Sequence, residues 1–222
     1  MISIIHTYKG LLLQSLGQTL LLTLLSLIFA FIIGLIFGLL SVSKSKILNC
    51  ISTIYVDGIR GIPLIVLAYF IYFGIPAAIK AVGFTDFKMS ALVAGTISLS
   101  MNAGAYMAEI FRAGIQSVDK GQMEAARSLG LSYGKSMKKV ILPQAIRTMT
   151  PSLINQFIIT LKDTSILSII GIRELTMAGK LIIARNYESM AMWSIVALYY
   201  FIVIYGITKI SRYIERKTAY GK

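Results

Sequence analysis

Five apolar runs, near residues 17–41, 54–79, 89–111, 148–171 and 193–210, constrain this chain more than any other feature. Crossing the roughly 30 Å hydrocarbon layer of a membrane takes about 20 mostly apolar residues in a helix, and each run has about that length. With 56% of the 222 residues hydrophobic and 14% charged, the apolar surface exceeds what one water-soluble core could bury. In lipid, every backbone N–H and C=O must be satisfied within the segment itself. The pattern therefore predicts an all-α integral membrane protein with five transmembrane helices, forming one domain over residues 1–222. The first run is too long for a signal peptide and lacks a basic start and a small-residue cleavage site, so it reads as a retained span.

Charge gives the orientation. Lys44 and Lys46, the seven basic residues from Arg112 to Arg147, and Lys209, Arg212, Arg216, Lys217 and Lys222 fall on one side of the predicted spans, fourteen in all. The opposite side holds six: Lys9, Lys80, Lys88, Arg173, Lys180 and Arg185. Positively charged flanks stay cytoplasmic, which predicts an external N-terminus and an internal C-terminus. The net charge of +13 thus serves topology and anionic lipid rather than nucleic acid. One cysteine, Cys50, allows no intrachain disulfide, and His6 lacks the Cys, Asp or Glu neighbours of a metal site. The chain has no G-x-x-x-x-G-K-[ST], G-x-S-x-G or H-E-x-x-H pattern, so neither an ATPase nor a hydrolase is expected within it.

Between the third and fourth runs lies a basic loop, about 116–147, with apolar Met137, Val140 and Ile141 set among Lys138 and Lys139 on a helical pattern. Such a segment can lie on a membrane face or meet a partner. Within it, Glu124-Ala125-Ala126 makes a short, thin-sided helix, and Gly130 can end it in the left-handed conformation that other residues resist. Nine residues after Gly130 comes Val140-Ile141-Leu142-Pro143, where the backbone is expected to break or restart. This spacing resembles the EAA loop of ATP-binding cassette importer permeases, with Val140 in place of the usual Ile.

The resemblance extends over residues 16–217. Asn102-Ala103-Gly104-Ala105-Tyr106 through Glu109, Arg112 and Ile115 is similar to the span before that loop in permeases for polar amino acids of the glutamine, histidine, arginine and cystine types. Arg60-Gly61-Ile62-Pro63-Leu64 resembles their Arg-Gly-Thr-Pro-Leu segment, with Ile62 for Thr. Asn155-Gln156-Phe157, Leu161 to Ser165, Gly171-Ile172 and Glu174-Leu175-Thr176 also match. The resemblance implies the type I importer permease fold, with a coupling helix on the cytoplasmic side and a second permease copy, identical or similar. It further implies two ATPase subunits that bind ATP and Mg, and an extracytoplasmic amino-acid-binding protein. The setting is a bacterial inner or cytoplasmic membrane. Coupling to the ATPase falls on Glu124, Ala125, Ala126, Gly130 and Pro143.

Physical arguments mark candidate substrate residues. A charge inside a bilayer costs several kcal/mol unless paired or wetted, and Lys162-Asp163 interrupts the fourth run, with Thr164 and Ser165 beyond it. The same residues fit a Lys that snorkels to the interface and an Asp that caps a helical turn. Pro63 removes a helical hydrogen bond beside Gly61, which makes a kink that either packs or frees backbone groups for a ligand. Asn102 fits a ligand contact or a hydrogen bond across a small-residue helix seam. Ser15, Gly17, Gly34 and Gly38 read as helix-contact residues. The nominated substrate residues are Leu64, Asn102, Lys162, Asp163, Thr164 and Ser165. A paired Lys162–Asp163 suits a neutral zwitterion such as glutamine, whereas an unpaired Asp163 suits a cationic amino acid. Two rivals remain open: a channel or carrier that works without an ATPase, and a non-transporting structural half of a heterodimeric permease.

Overall fold

The computed structural model describes residues 1–84 and 86–219, with side chains among them up to residue 213. Arg216, Lys217 and Lys222 of the charge pattern lie outside the described side chains. Every regular element among the described residues is helical.

Helix α1 (Ile2–Ser41) has 40 residues. At 1.5 Å per residue this is about 60 Å, twice the hydrocarbon thickness, so its N-terminal part extends past the predicted span 17–41. That extension is held by Ile4 and Leu12, which pack with Leu175 and Ile182 of α9 (Leu175–Asn186) and with Met192, Ile195 and Val196 of α10 (Ser189–Ala219).

The main seam joins α1 to α5 (Ala91–Gln116). Ala30, Gly34 and Gly38 recur every fourth residue along it, and all three are buried. A Cβ on Gly34 would lie 2.6 Å from Met107 Cβ, one on Gly38 2.7 Å from Phe111 Cβ, and one on Gly104 2.8 Å from Ile33 Cγ2. No side chain fits at these points, so the two backbones meet directly, as small residues permit in membrane bundles. Ser15 is buried as expected for a contact residue, but a Cβ on Gly17 would meet nothing within 4 Å, so Gly17 is not part of a seam.

Among the described residues, four helical runs are long and apolar enough to cross a membrane: Ile2–Ser41, Leu64–Ala81, Tyr133–Ile170 and Ser189–Tyr213. The third predicted run, 89–111, forms α5. Its polar residues dilute its apolar character, and it is packed against α1, α8 (Leu142–Asp163) and α2 (Lys46–Arg60).

The second run is divided where the sequence suggested only a kink. Helix α2 ends at Arg60, and α3 (Leu64–Tyr69) begins after Gly61-Ile62-Pro63. Proline cannot donate to a helical ladder, and the residue before it avoids helical dihedrals. Pro63 instead starts the new helix: its carbonyl accepts from the N–H groups of Val66 (2.9 Å) and Leu67 (3.1 Å). A single π turn, Phe70–Gly74, then leads into α4 (Ile75–Ala81).

The basic loop is also differently built. Helix α6 (Lys120–Ser128) stands alone, and the chain becomes helical again at α7 (Tyr133–Ser136). A π turn, Met137–Ile141, carries the helix into α8, so Pro143 sits in the first turn of a continuing helix and does not break it. The break occurs earlier, at residues 129–132.

Candidate functional site

Helix α2 is fixed to its neighbours before it reaches the break. Tyr55 donates its O–H to the Met101 carbonyl at 2.8 Å and stacks on Phe37 with ring centroids 3.9 Å apart. Ser52 donates to the Phe37 carbonyl at 2.7 Å, and Asn49 Nδ2 donates to the Ser41 carbonyl at 2.6 Å. These bonds hold the end of α2 against α1 and α5, which sets Arg60 beside α5. Its guanidinium lies 5.2 Å from the centroid of the Tyr106 ring, within cation–π range.

A cleft of about 490 Å³ opens at that point, between the Arg60–Leu64 segment, α5 and α8. Asn102 and Tyr106 contribute from α5, one turn apart, and Gln156, Ile159 and Asp163 from α8 at three- and four-residue spacing. The lining thus combines one guanidinium, one carboxylate, two carboxamides and a phenol with Ile62, Pro63, Leu64 and Ile159 as apolar wall. The volume falls within the roughly 300–1,000 Å³ usual for small-molecule sites. Asn102 is 7% exposed and makes no hydrogen bond among the described residues, so its amide is available to a ligand. Gln156 has one long contact, Nε2 to Thr160 Oγ1 at 3.5 Å.

Of the substrate residues nominated from sequence, Leu64, Asn102 and Asp163 come together in this cleft. Lys162, Thr164 and Ser165 do not line it. Lys162 is exposed on another side of α8, as the 100° turn between adjacent helical residues requires. Thr164 is buried, and its hydroxyl donates to the Leu161 carbonyl at 2.7 Å. Helix α8 stops at Asp163 and the chain tightens into a 3-10 helix, Thr164–Ile170, which carries Thr164 and Ser165 away from the cleft. Among the described residues, Lys162 and Asp163 form no ion pair with each other. Arg60, Tyr106 and Gln156 were visible in the matched motifs but not nominated as ligand residues. Tyr106 is a turn from Asn102 on the same helix, but only the three-dimensional approach of α2, α5 and α8 makes Arg60 and Gln156 neighbours of Asn102.

The nominated coupling residues lie on and after α6. Asp119 caps that helix by accepting from the Gly121 N–H at 2.7 Å. Gly130 ends it with φ +83°, and the Leu131 N–H closes the turn on the Ala126 carbonyl at 3.2 Å. Ala126 is buried against its own chain, whereas Glu124, Ala125, Gly130 and Pro143 are exposed. Leu129 at the helix end is 85% exposed. The Lys44 ammonium lies 5.7 Å from the Tyr133 ring centroid, which ties the segment after α6 to the end of α1.

The sequence pattern of the family of binding-protein-dependent transport system inner membrane components matches residues 11–220. The glutamine transport system permease protein GlnP of Escherichia coli strain K12 is 41% identical over 171 residues, 77% of this chain and 76% of that protein. The probable amino-acid ABC transporter permease protein YckA of Bacillus subtilis strain 168 is 35% identical over 94% of this chain and 89% of its own length. A crystal structure of an amino acid ABC transporter with histidines superposes with a TM-score of 0.88 at 37% identity, covering 97% of each chain. The MetNI methionine ABC transporter in an inward-facing conformation shares the fold, with a TM-score of 0.77 at 22% identity over 96% of this chain and 98% of that one.

Proposed function

The chain belongs to the family of binding-protein-dependent transport system inner membrane components, and on that premise we propose that its substrate is a polar amino acid of glutamine type, bound in the cleft between α2, α5 and α8. It is the multi-pass inner-membrane permease subunit of an amino-acid importer. ATP and Mg are bound by partner ATPase subunits, and this chain contributes no nucleotide site. An extracytoplasmic binding protein delivers the amino acid, and a second permease copy, identical or similar, completes the pathway. The N-terminus lies outside and the C-terminus inside. The chain crosses the membrane five times, with α5 as the polar span facing the pathway.

One observation carries the substrate class: a carboxylate, a guanidinium and two carboxamides share a single small cleft. An unpaired Asp163 by itself would favour a cationic amino acid, but Arg60 in the same lining balances it. A zwitterion meets both: its carboxylate is held by Arg60, whose planar fork matches that group, and its ammonium by Asp163. Asn102 and Gln156 can then pair with a side-chain amide, each offering both a donor and an acceptor.

Coupling follows from α6. The exposed face with Glu124 and Ala125, ended by Gly130 and Leu129, docks in a groove of the ATPase. Closure of two nucleotide-loaded ATPases moves this helix, and the tie between Lys44 and Tyr133 passes the motion to α1. The switch is a two-state equilibrium biased by nucleotide on one side and by loaded binding protein on the other.

The test is ATPase activity of the chain copurified in nanodiscs with its ATPase, with binding protein loaded by a panel of amino acids. Stimulation by glutamine supports the reading, and stimulation by arginine, histidine or cystine instead corrects the substrate. Failure of the two chains to copurify, with no ligand stimulating hydrolysis, leaves a passive carrier as the better account.

A further inference from the structure

On the α6 side of the cleft a second cavity, of about 310 Å³, opens between α2 and α5. Arg60 lines both spaces. The charged lining of this second space is Asp57 and Arg60 from α2 with Glu109 and Arg112 from α5. We propose that it is a second station for the transported amino acid, entered after the cleft, where Arg60 holds the α-carboxylate and Asp57 the α-ammonium. This inference rests on the amino-acid importer reading given above.

The four charges are not equivalent. Arg112 is engaged through all three of its nitrogens: Nε donates to Glu109 Oε2 at 2.9 Å, Nη2 to Glu109 Oε1, and Nη1 to Gln116 Oε1 at 2.7 Å. That pair neutralises Glu109 and closes the α5 wall. Asp57 and Arg60 stand three residues apart on one face of α2 and form no ion pair with each other among the described residues. Arg60 lies over the Tyr106 ring and makes no ion pair among the described residues, and the Asp57 carboxylate makes no hydrogen bond among them; across the cavity Arg60 faces Glu109 and Asp57 faces Arg112 as opposite charges that do not touch. Two opposite charges, open to the cavity and not joined to one another, are the complement of a zwitterion.

The path between the spaces is polar along its length. Asn102, Tyr106, Glu109, Arg112 and Gln116 follow at three- and four-residue spacing on one face of α5, turned away from the Gly34–Gly104 seam. Moving a zwitterion through a low-dielectric region is costly unless each charge is met at every step. Because Arg60 reaches both spaces, it can keep hold of the carboxylate while the ammonium passes from Asp163 to Asp57. A cleft alone would have to release both charges at once.

The test places a reporter in the second cavity and closes the first. In the assembled importer in nanodiscs, Cys50→Ser removes the native thiol and Thr53→Cys puts one on α2, a turn before Asp57 in the lining of the second cavity. L-glutamine at ten times its half-protecting concentration should slow maleimide labelling about tenfold, as simple occupancy requires. Adding Ile62→Trp, which fills the cleft from an exposed position, should leave that protection in place, because in nanodiscs both faces are open to solvent and glutamine can also reach the second cavity from the α6 side without crossing the cleft. Adding Asp57→Asn should abolish it, and Asp57→Glu should restore it. Absence of protection in a complex still stimulated by glutamine-loaded binding protein would overturn the station and leave the importer reading intact. So would protection that Ile62→Trp removes and Asp57→Asn does not alter. A complex that no amino acid stimulates would remove the importer reading itself, and the station with it.

Discussion

Glu174 is fully buried, and its carboxylate accepts the backbone N–H groups of Met177 (2.6 Å) and Thr176 (2.8 Å) and the Tyr200 hydroxyl (3.0 Å). It therefore caps α9 and ties it to α10. Burial pushes its pKa up, and its hydrogen bonds offset only part of that. A carboxyl whose folded pKa is raised adds stability that is complete below the ordinary carboxylate range and is lost as pH rises through the folded value. Thermal unfolding in detergent should therefore show a stability component that declines above the ordinary carboxylate range, and Glu174→Gln should remove that pH dependence. An unchanged pH profile in the variant would assign the slope to another group. In the cleft, Asn102→Ala and Asp163→Ala should each lower glutamine-stimulated hydrolysis while leaving the basal rate in place. Equal transport by both variants would remove these residues from the site.

At the scale of elements, the α1–α5 seam depends on having no side chain at Gly34. Gly34→Leu should destabilise the protein by about 1–3 kcal/mol, because the backbones would have to separate. Gly17→Ala, on an open face, should be near neutral or slightly stabilising, since alanine is the better helix former. Comparing the unfolding temperatures of the two variants checks the seam directly. Helix α6 depends on a different glycine property. Gly130 at φ +83° holds a left-handed turn that costs other residues roughly 1–2 kcal/mol. Gly130→Val should misdirect the end of α6 and uncouple hydrolysis from uptake, whereas Gly130→Asn, which tolerates this conformation, should keep most of the coupling. Full stimulation of Gly130→Val by loaded binding protein would sink the docking role of this turn.

For the whole molecule, α2 is the link between the cleft and the α1–α5 seam. The tie of α2 to α1 and α5 through Tyr55, Ser52 and Asn49 makes these helices one body, so a push on α6 should reach Arg60. Tyr55→Phe removes the bond to the Met101 carbonyl, and it should weaken stimulation by loaded binding protein more than it weakens basal hydrolysis. Much of this architecture was legible beforehand. Run length and polarity marked the helical membrane fold, the Glu124–Gly130 spacing marked α6 and its left-handed end, and Leu64, Asn102 and Asp163 stood out as polar or kinked positions within apolar runs. Those are local properties, because helix formation, turn chemistry and the cost of a buried charge are written in neighbouring residues. The break at Gly61–Pro63, the continuous helix through Pro143 and the placement of Lys162 outside the cleft were decided elsewhere. They depend on how a π turn absorbs a proline, and on which side of a helix meets its neighbours. Sequence by itself determined that this chain forms apolar helices with a short, slim helix ended by a glycine between two of them. Only the tertiary structure brought Arg60, Asn102 and Gln156 around one space, because three helices distant in sequence approach there, and contacts between distant segments leave no pattern along a single chain.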